Sequence, residues 1–207
     1  MSYSTFSINE LERKFNLEIK LTNNVFEEIA AVEISDWLVE ALREQVPLAL
    51  AIATEKARSE FIVAPMLSEL RKRMNYQISL FSGVDFTIDL AQGLNGVCDF
   101  LVSRSPQQLA VESPVLVLVE AKNDHVKGGI PQCIAEMIAA RIFNEREGTP
   151  IEPIYGVVTT GSIWNFMKLK GQKIAVDSRE YSIETPGKIL GILLYAVTDP
   201  TEIKQET

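Results

Sequence analysis

The sequence has little cysteine or histidine: two cysteines, Cys98 and Cys133, and one histidine, His125, among 207 residues. Two cysteines cannot form a disulfide framework or a cysteine-based zinc cluster. A single histidine excludes a histidine-rich metal site and argues against a Ser-His-Asp triad. In a loop after a strand, His125 is either simply exposed or serves as a base or phosphate contact. We therefore expect any chemistry to rest mainly on carboxylates and lysine.

Long apolar runs are also missing, since none approaches the roughly 18 residues of a membrane span. The N-terminal stretch MSYSTFSINELERKF is too polar for the apolar region of a signal peptide, so we expect a cytoplasmic protein. Hydrophobic residues make up 46% of the chain, enough for one core of ordinary size. Without repeats or linkers, the chain predicts a single domain, with an N-terminal extension over 1–50, a core over 51–198 and a frayed tail over 199–207.

A surplus of basic residues is absent as well, because the formal net charge is −8. This balance argues against a general nucleic-acid coat protein, although a local basic groove on an acidic protein is compatible with it. Two basic clusters stand out, LRKRM and KLKGQK. Each is either a solvated face or a set of phosphate contacts.

The N-terminal third of the sequence has helical patterns. The motif SINE is a capping box, with Ser7 as N-cap and Glu10 three residues later, and it predicts a short helix followed by a possible strand at LEIKL. The segment 34–74 has a helical pattern, in which we expect breaks at Pro47 and Pro65.

Strand patterns dominate the rest of the sequence, interrupted by two helices. We predict strands at YQISLF, DFTIDLA, VCDFLVS, VLVLVEA, IYGVVTT, IWNFMKL, KIAVD and EYSIE. A helix is predicted from Pro131 to Glu147 with Gly148 as its stop, and a last one at PGKILGILLYAV. Trp164 and Phe166 alternate within a predicted strand and are expected in the core. The order predicts an α/β fold in which helices cover a mixed β-sheet.

The two strands VCDFLVS and VLVLVEA form a predicted hairpin that brings two carboxylates together. Centring the turn between them sets Val102 near Val117, and the same register sets Asp99 opposite Glu120. Directly opposed residues in an antiparallel pair have Cβ atoms roughly 5 Å apart. Two carboxylates at that distance repel each other and raise a pKa unless positive charge lies between them.

Two sources of positive charge fit this pair equally well. A divalent cation is one, because Mg²⁺ prefers a couple of carboxylates with several retained waters. Lys122 lies on the same face as Glu120 and would then steady or deprotonate an attacking water, which is an arrangement suited to phosphodiester cleavage. The alternative is that Lys122 alone neutralises Asp99 and Glu120 as a structural ion pair.

A third carboxylate, Glu60, lies on the helical segment upstream of the strands. It shares a mostly apolar stripe with residues such as Val63 and Leu67, a stripe that we expect to face the sheet. Glu60 is either part of a site or a residue that reaches solvent and pairs with Lys56. Glu69 lies off this stripe and is expected to be solvated.

These residues, in this order, resemble the PD-(D/E)XK, or restriction-endonuclease-like, nuclease superfamily. The carriers are Glu60 in SEFIVAPML, Asp99 in GVCDF, Glu120 and Lys122 in VEAK, and Gln132 in PQCIAEM. The stretch YGVVTTGSIWNFMKL also resembles the strand-turn-strand of N-terminal nuclease domains in restriction enzymes. The sequence departs from the superfamily pattern before the motif aspartate, where a cysteine replaces the expected proline.

The resemblance implies a restriction-endonuclease-like core with an α-β-β-β-α-β order and an endonuclease that uses Mg²⁺ or Mn²⁺ on DNA. It implies that Asp99 and Glu120 are metal ligands, that Glu60 is an auxiliary ligand, that Lys122 positions or activates water, and that Gln132 orients the lysine or touches nucleic acid. A homodimer would supply the two sites needed to cut both strands, and a partner protein would supply specificity. The alternative is a catalytically silent module that keeps the fold as a protein-binding or regulatory subunit.

Overall fold

The structure is a computed structural model that describes residues 2–198, so the frayed tail expected over 199–207 lies outside the described residues. The elements are, in chain order, a 3-10 turn (Tyr3–Thr5), α1 (Ile8–Phe15), β1 (Glu18–Thr22), α2 (Asp36–Ile52), α3 (Glu55–Arg58), a π-helical turn (Ser59–Val63), α4 (Ala64–Arg73), β2 (Ser79–Asp85), β3 (Val97–Ser103), β4 (Val115–Ala121), α5 (Val126–Arg146), β5 (Ile154–Thr159), β6 (Ile163–Lys170), β7 (Lys173–Asp177), β8 (Tyr181–Ser182) and α6 (Pro186–Val197).

The expected α/β fold with a mixed sheet is confirmed. Seven strands run across the sheet in the order β1-β7-β6-β5-β4-β3-β2, and the short β8 pairs with β6. The β1–β7 and β4–β5 pairs are parallel, and the other pairs are antiparallel. One face of the sheet packs against α1 and α5, and the other against α2, α4 and α6. Both faces are therefore buried, which explains why β4 has no exposed residue.

The predicted hairpin register is also confirmed. Val102 lies opposite Val117 in the antiparallel β3–β4 pair, and the last paired residues towards the open end are Phe100 and Val119. The next position in this register places Asp99 beside Glu120. The elements from α4 to β5 follow the order α-β-β-β-α-β.

The helical segment breaks at a different place from the one predicted. Pro47 lies inside α2, and Pro65 follows the first residue of α4, so neither residue ends a helix. The chain instead turns at Ala53, whose φ is +56°, and Thr54 caps the next helix by accepting a hydrogen bond from the Ala57 amide at 3.2 Å. The π-helical turn before Pro65 widens the helix there, which relieves the clash that a proline makes with the preceding turn.

Two predicted elements begin elsewhere. The strand predicted at YQISLF begins at Ser79, because Tyr76 has a φ of +60° in the turn that leaves α4. Helix α5 begins at Val126, five residues before Pro131, and ends as predicted before Gly148, whose φ is +76°. A proline this close to the start of a helix removes only one backbone hydrogen bond, so packing of α5 on the sheet outweighs it.

The strand predicted at DFTIDLA is wrong. Beyond Asp85 the backbone pairing of this segment includes a hydrogen bond from the Phe86 amide to the Gly96 carbonyl oxygen at 2.9 Å and an isolated bridge between Asp89 and Leu94. The Asp89 carboxylate accepts hydrogen bonds from the backbone amide of Gln92 at 3.0 Å and from its side chain at 2.9 Å. An aspartate that binds its own turn in this way offers the backbone an alternative to a sheet ladder.

The described part of the predicted N-terminal extension, residues 2–50, packs onto the rest of the fold. The predicted β1 pairs in parallel with β7, and α1 has the predicted capping box, in which the Ser7 amide donates to Glu10 Oε2 at 2.8 Å. The Tyr3 ring is buried, and its hydroxyl donates to the carbonyl of Phe86. Among residues 2–198, none of the helices combines the length and the apolar character needed to cross a bilayer.

Candidate active site

Asp99, Glu120 and Lys122 meet where β3 begins and β4 ends. The Asp99 carboxylate accepts a hydrogen bond through Oδ2 from the Ala121 amide at 2.8 Å, which ties the two strand ends together. The backbone amide of Lys122 donates to the Thr159 carbonyl oxygen at 2.8 Å, which continues the pairing of β4 with β5. The sheet therefore holds these side chains on adjacent strands, as the sequence predicts.

Glu120 is the most unusual of the three residues, because its carboxylic acid side chain is almost completely buried, with 1% of the residue exposed. Its Oε1 accepts from the Lys122 ammonium, whereas its Oε2 is buried without a hydrogen-bond partner among the described residues. Burial, and then the charge of Asp99, raise the pKa of Glu120 to about 7, although Lys122 opposes the shift. The site therefore contains a carboxylate that is incompletely satisfied by the protein.

Lys122 lies between the sheet and α5. Its Nζ donates to Glu120 and also to Gln132 Oε1 at 3.5 Å. Burial by itself lowers the pKa of Lys122, but the hydrogen bond and charge of Glu120 outweigh it, so the pKa is above its ordinary value. The side chain is therefore held as an ammonium group, one quarter exposed, at the edge of the site.

Helix α5 adds two side chains, one predicted and one not. Gln132 lies beside Lys122 as the resemblance implies, and its Nε2 donates to Glu136 Oε1 at 3.1 Å. Glu136 is fully buried, and its Oε2 has no hydrogen-bond partner in the described structure. Burial, and then the charge of Glu120, raise the pKa of Glu136 well above its ordinary value. The spacing of four residues between Gln132 and Glu136 was the available sequence signal, because it places both on one helix face.

The structure places Glu60 away from the stripe expected to face the sheet. Its side chain is 53% exposed and pairs with Lys56 at 2.9 Å across one helical turn. The break at Ala53 and the π-helical turn change the helix register, so the apolar stripe does not continue through Glu60. Within residues 2–198, Glu60 forms its ion pair with Lys56 and none with a side chain of the site, and its role in the site stays a prediction.

Glu55 is a helical carboxylate near the site that sequence reasoning missed. Arg58 Nη1 donates to the Thr160 carbonyl oxygen at 2.8 Å and so holds α3 against the turn after β5. Glu55 begins the same helix. After burial and Asp99, the charge of Glu55 also contributes to the raised pKa of Glu120. The sequence signal was Thr54, a helix N-cap type directly before an acidic first turn.

Three expectations outside the charged cluster are resolved. Trp164 and Phe166 are buried in the core as expected, and Trp164 Nε1 donates to the Gly161 carbonyl oxygen at 2.8 Å.

Cys98 was expected to face away from the site, but it packs in the α5-side core together with Leu101. In a regular strand, side chains three residues apart point to opposite faces, so Cys98 and Leu101 can share one face only if β3 is irregular between them. The irregularity lies beside Gly83 of β2, which has a φ of +61° and is skipped in the pairing of β2 with β3.

Glu69 is buried rather than solvated, which corrects the sequence-based expectation. Its carboxylate accepts from the Ser35 hydroxyl at 2.8 Å, from the Ser35 amide at 3.2 Å and from Arg73 Nε at 3.1 Å. Ser35 is the N-cap of α2, so Glu69 fixes the start of that helix against α4. Tertiary partners, rather than the helical stripe, account for its burial.

The donor set at the strand ends suits a hard divalent cation. Among residues 2–198, no three His, Cys, Asp or Glu side chains are grouped closely enough to hold a metal ion by themselves. Mg²⁺ needs no such cage, because one or two carboxylates suffice when waters or substrate phosphates complete its shell. Asp99 and the unpartnered Oε2 of Glu120 are oxygens of the required kind.

Comparison of the sequence with protein-family models and with curated proteins finds no match. The candidate active site is therefore defined by its own residues, Asp99, Glu120, Lys122 and Gln132, together with the buried Glu136 and the neighbouring Glu55.

Proposed function

We propose that this protein is a nuclease that uses Mg²⁺ or Mn²⁺ to hydrolyse phosphodiester bonds, with DNA as the favoured substrate by resemblance. In this proposal the α-β-β-β-α-β segment is a restriction-endonuclease-like core. Asp99 and Glu120 are the metal ligands, and Lys122 acts on the water and phosphate at the reacting centre.

One observation carries the proposal: Glu120 Oε2 is a buried carboxylate oxygen that no described N–H or hydroxyl group reaches, beside two further acids, Asp99 and Glu136. Leaving such a group unsatisfied costs folding free energy, about 1–3 kcal/mol or more for a charged group. A bound cation would offset this cost by meeting both Asp99 and Glu120. Functional sites are where proteins retain unfavourable polar burial of this kind.

The side chains divide the work of hydrolysis among themselves. A bound divalent cation would supply Lewis-acid stabilisation of charge on the phosphate and would lower the pKa of a water molecule. Asp99 and Glu120 would supply the carboxylate oxygens that bind this cation, and the sheet fixes their positions. The raised pKa of Lys122 favours an ammonium that orients the water and stabilises phosphate charge over an amine that removes a proton. Gln132 keeps this ammonium directed at the site.

A homodimer follows from the proposed reaction on duplex DNA, because one site cuts one strand. We expect two copies to place two sites on opposite strands, with any sequence specificity supplied by the dimer or by a partner protein. Sedimentation velocity at working protein concentration tests this part. A purely monomeric species that still makes double-strand breaks at single encounters would contradict it.

The ion pair between Lys122 and Glu120 favours a second candidate function. In this alternative Lys122 neutralises the buried acid without metal, and the fold serves as a protein-binding or regulatory subunit without catalysis. The net charge of −8 also favours it, because nucleic-acid binding normally requires local basic surface. The two functions differ in whether Asp99 and Glu120 respond to a metal ion.

A cleavage assay separates the two functions. Supercoiled plasmid and a single-stranded oligonucleotide are incubated with the protein in Mg²⁺, in Mn²⁺ and in EDTA. We expect metal-dependent products from the wild type and a loss of about 10²–10³-fold in Lys122→Met, because charge stabilisation at the reacting centre is removed. Lys127→Met, an exposed lysine at the start of α5, is the matched control and should retain activity. Equal activity in Lys122→Met, or none in the wild type with either metal, would contradict the nuclease.

A further inference from the structure

The face of α5 that packs on the sheet carries a carboxyl group for which the proposed reaction has no direct use. Glu136 is completely buried, and it lies on the same face as Gln132. One of its oxygens accepts from Gln132, the other has no donor among the described residues, and the Glu120 carboxyl group lies close enough to raise the pKa of Glu136 by its charge and by a side-chain hydrogen bond. An acid buried in this way is disfavoured compared with an apolar residue of similar size, so its presence requires a specific explanation.

The hydrogen bonds around Gln132 supply that explanation. A glutamine amide has one end that donates and one that accepts. Gln132 Nε2 donates to Glu136 Oε1 at 3.1 Å, and Gln132 Oε1 faces the Lys122 ammonium at 3.5 Å. Because Glu136 offers an acceptor to the NH₂ end, the amide is held with its oxygen towards the lysine, which can only donate.

We propose that Glu136 is a positioning residue for Lys122 and acts through the orientation of the Gln132 amide. The inference rests on the proposed function for its effect on catalysis, but the hydrogen-bond relay itself does not depend on any activity. Without an acceptor at position 136, the amide loses the bond that fixes its orientation, and the flipped amide presents NH₂ to the ammonium. Lys122 then loses one of its two acceptors and becomes free to leave the site.

Two substitutions separate positioning from other roles. Glu136→Gln keeps an oxygen acceptor at the same distance from Gln132. Glu136→Met keeps the length of the side chain but removes the acceptor, and it should fold at least as stably as the wild type because a buried acid is removed. Glu145→Met, on an exposed position of the same helix, is the matched control.

The first experiment measures kcat and KM for cleavage of a DNA duplex with Mn²⁺. We expect Glu136→Met to lower kcat by about 10- to 100-fold with KM little changed, as displacement of a reacting group does, and Glu136→Gln to restore most of the loss. Unchanged kcat in Glu136→Met would overturn the proposal, because it would reduce Glu136 to core filling. An equal loss in Glu136→Gln together with weaker Mn²⁺ binding would also overturn it, because Glu136 would then be a metal ligand.

The second experiment needs no cleavage. Nitrogen-15 NMR of the lysine ammonium groups is recorded on the metal-free protein, with the Lys122 signal assigned from Lys122→Arg. We expect the Lys122 signal to persist in Glu136→Gln and to shift or broaden in Glu136→Met. If it responds while the wild type cleaves no DNA, the nuclease is wrong and the positioning role stands. If it is unchanged in a folded Glu136→Met protein, the positioning role is wrong whatever the activity.

Discussion

The side chain of Lys122 lies against Gly129, where an added Cβ atom would come within 3.1 Å of Lys122 Cε. Gly129 belongs to the first turns of α5, and its missing side chain lets the helix approach the end of the sheet. The alkyl chain of the lysine passes between the two and reaches Glu120 and Gln132 with its ammonium group. A glycine in a helix costs stability, and here it makes room for the residue at the centre of the proposed reaction.

Gly129→Ala should therefore destabilise the protein although it improves helix propensity. The new methyl group would lie 2.6 Å from Val158 Cγ1 and 3.1 Å from Lys122 Cγ, so either the helix or the lysine must move. We expect a net decrease of up to about 2 kcal/mol in the free energy of unfolding, since overpacking costs about 1–3 kcal/mol and alanine gains about 1 kcal/mol. Urea denaturation measures the difference, and cleavage activity should fall with it.

Gly128→Ala is the control for this substitution. It lies one residue earlier in the same helix, and a Cβ atom there would meet nothing within 4 Å. The gain in helix propensity then stands alone, and we expect about 0.5–1 kcal/mol of added stability. If Gly128→Ala and Gly129→Ala changed the free energy of unfolding by the same amount, the close contact between Gly129 and Lys122 would have no effect on stability.

Asp99→Asn should remove the response of the protein to Mn²⁺. In the wild type, Mn²⁺ at 100 times its Kd should raise the thermal midpoint by about 5–10 °C relative to EDTA. Asparagine can still accept from the Ala121 amide but brings no charge, so the metal-free variant should be at least as stable as the wild type because repulsion with Glu120 is relieved. Asp85→Asn, an exposed acid on β2, should keep the full response. A destabilised Asp99→Asn protein with no Mn²⁺ effect in the wild type would favour the ion-pair alternative.

A comparison of Glu55→Gln with Glu60→Gln tests which helical carboxylate belongs to the site. Glu55 acts electrostatically on both Glu120 and Lys122, whereas Glu60 pairs with Lys56 in solvent. We expect Glu55→Gln to weaken the Mn²⁺ response measured by thermal denaturation, and Glu60→Gln to leave it unchanged. The reverse result would restore Glu60 as the auxiliary ligand that the resemblance implies.

Glu69→Gln should lower stability in a way that depends on pH. Burial by itself raises the pKa of Glu69, but its hydrogen bonds from Ser35 and Arg73 outweigh this and hold the pKa below its ordinary value. A depressed pKa contributes stability above the ordinary value near 4.5 and loses that contribution as the pH falls through the folded-state pKa. We expect a loss of about 1–3 kcal/mol at pH 7 that shrinks as the pH falls below the ordinary value of 4.5.

Urea denaturation at pH 7 and pH 3.5 measures this loss. Glu40→Gln, an exposed carboxylate on α2, is the control and should change stability little at either pH. A loss in Glu69→Gln that is the same at both pH values would mean that the charge of Glu69 contributes nothing.

The central strands and their pairing were predictable because the physical causes are local. The apolar run of β4 signals a strand buried on both faces, and centring the turn in the loop over 104–114 indicates which residues of β3 and β4 face each other. From these two facts Asp99, Glu120 and Lys122 could be placed together before any coordinates were known, and the structure has Val102 opposite Val117 as predicted. Gln132 followed from the resemblance.

Helix boundaries were less predictable, because packing outweighed the local signals. Pro47 lies within α2 and Pro131 within α5, where burial of the helix against the sheet exceeds the loss of one hydrogen bond. The sequence signal for the actual break at Ala53 is Thr54, the N-cap residue that follows it. This break and the following π-helical turn change the helical register. Glu60 therefore lies in solvent instead of on the apolar stripe that was expected to face the sheet.

The α/β class, the buried central strand and the charged residues at its end follow from the amino-acid sequence, because side-chain alternation and hydrophobic pattern act over a few residues. Tertiary packing alone buries Glu136 in the core beside Glu120, buries Glu69 against Ser35, and brings Glu55 rather than Glu60 electrostatically close to Glu120. Each of these outcomes depends on how a helix rotates and docks on the sheet. That rotation minimises the free energy of the whole packed core, and no single helix encodes it.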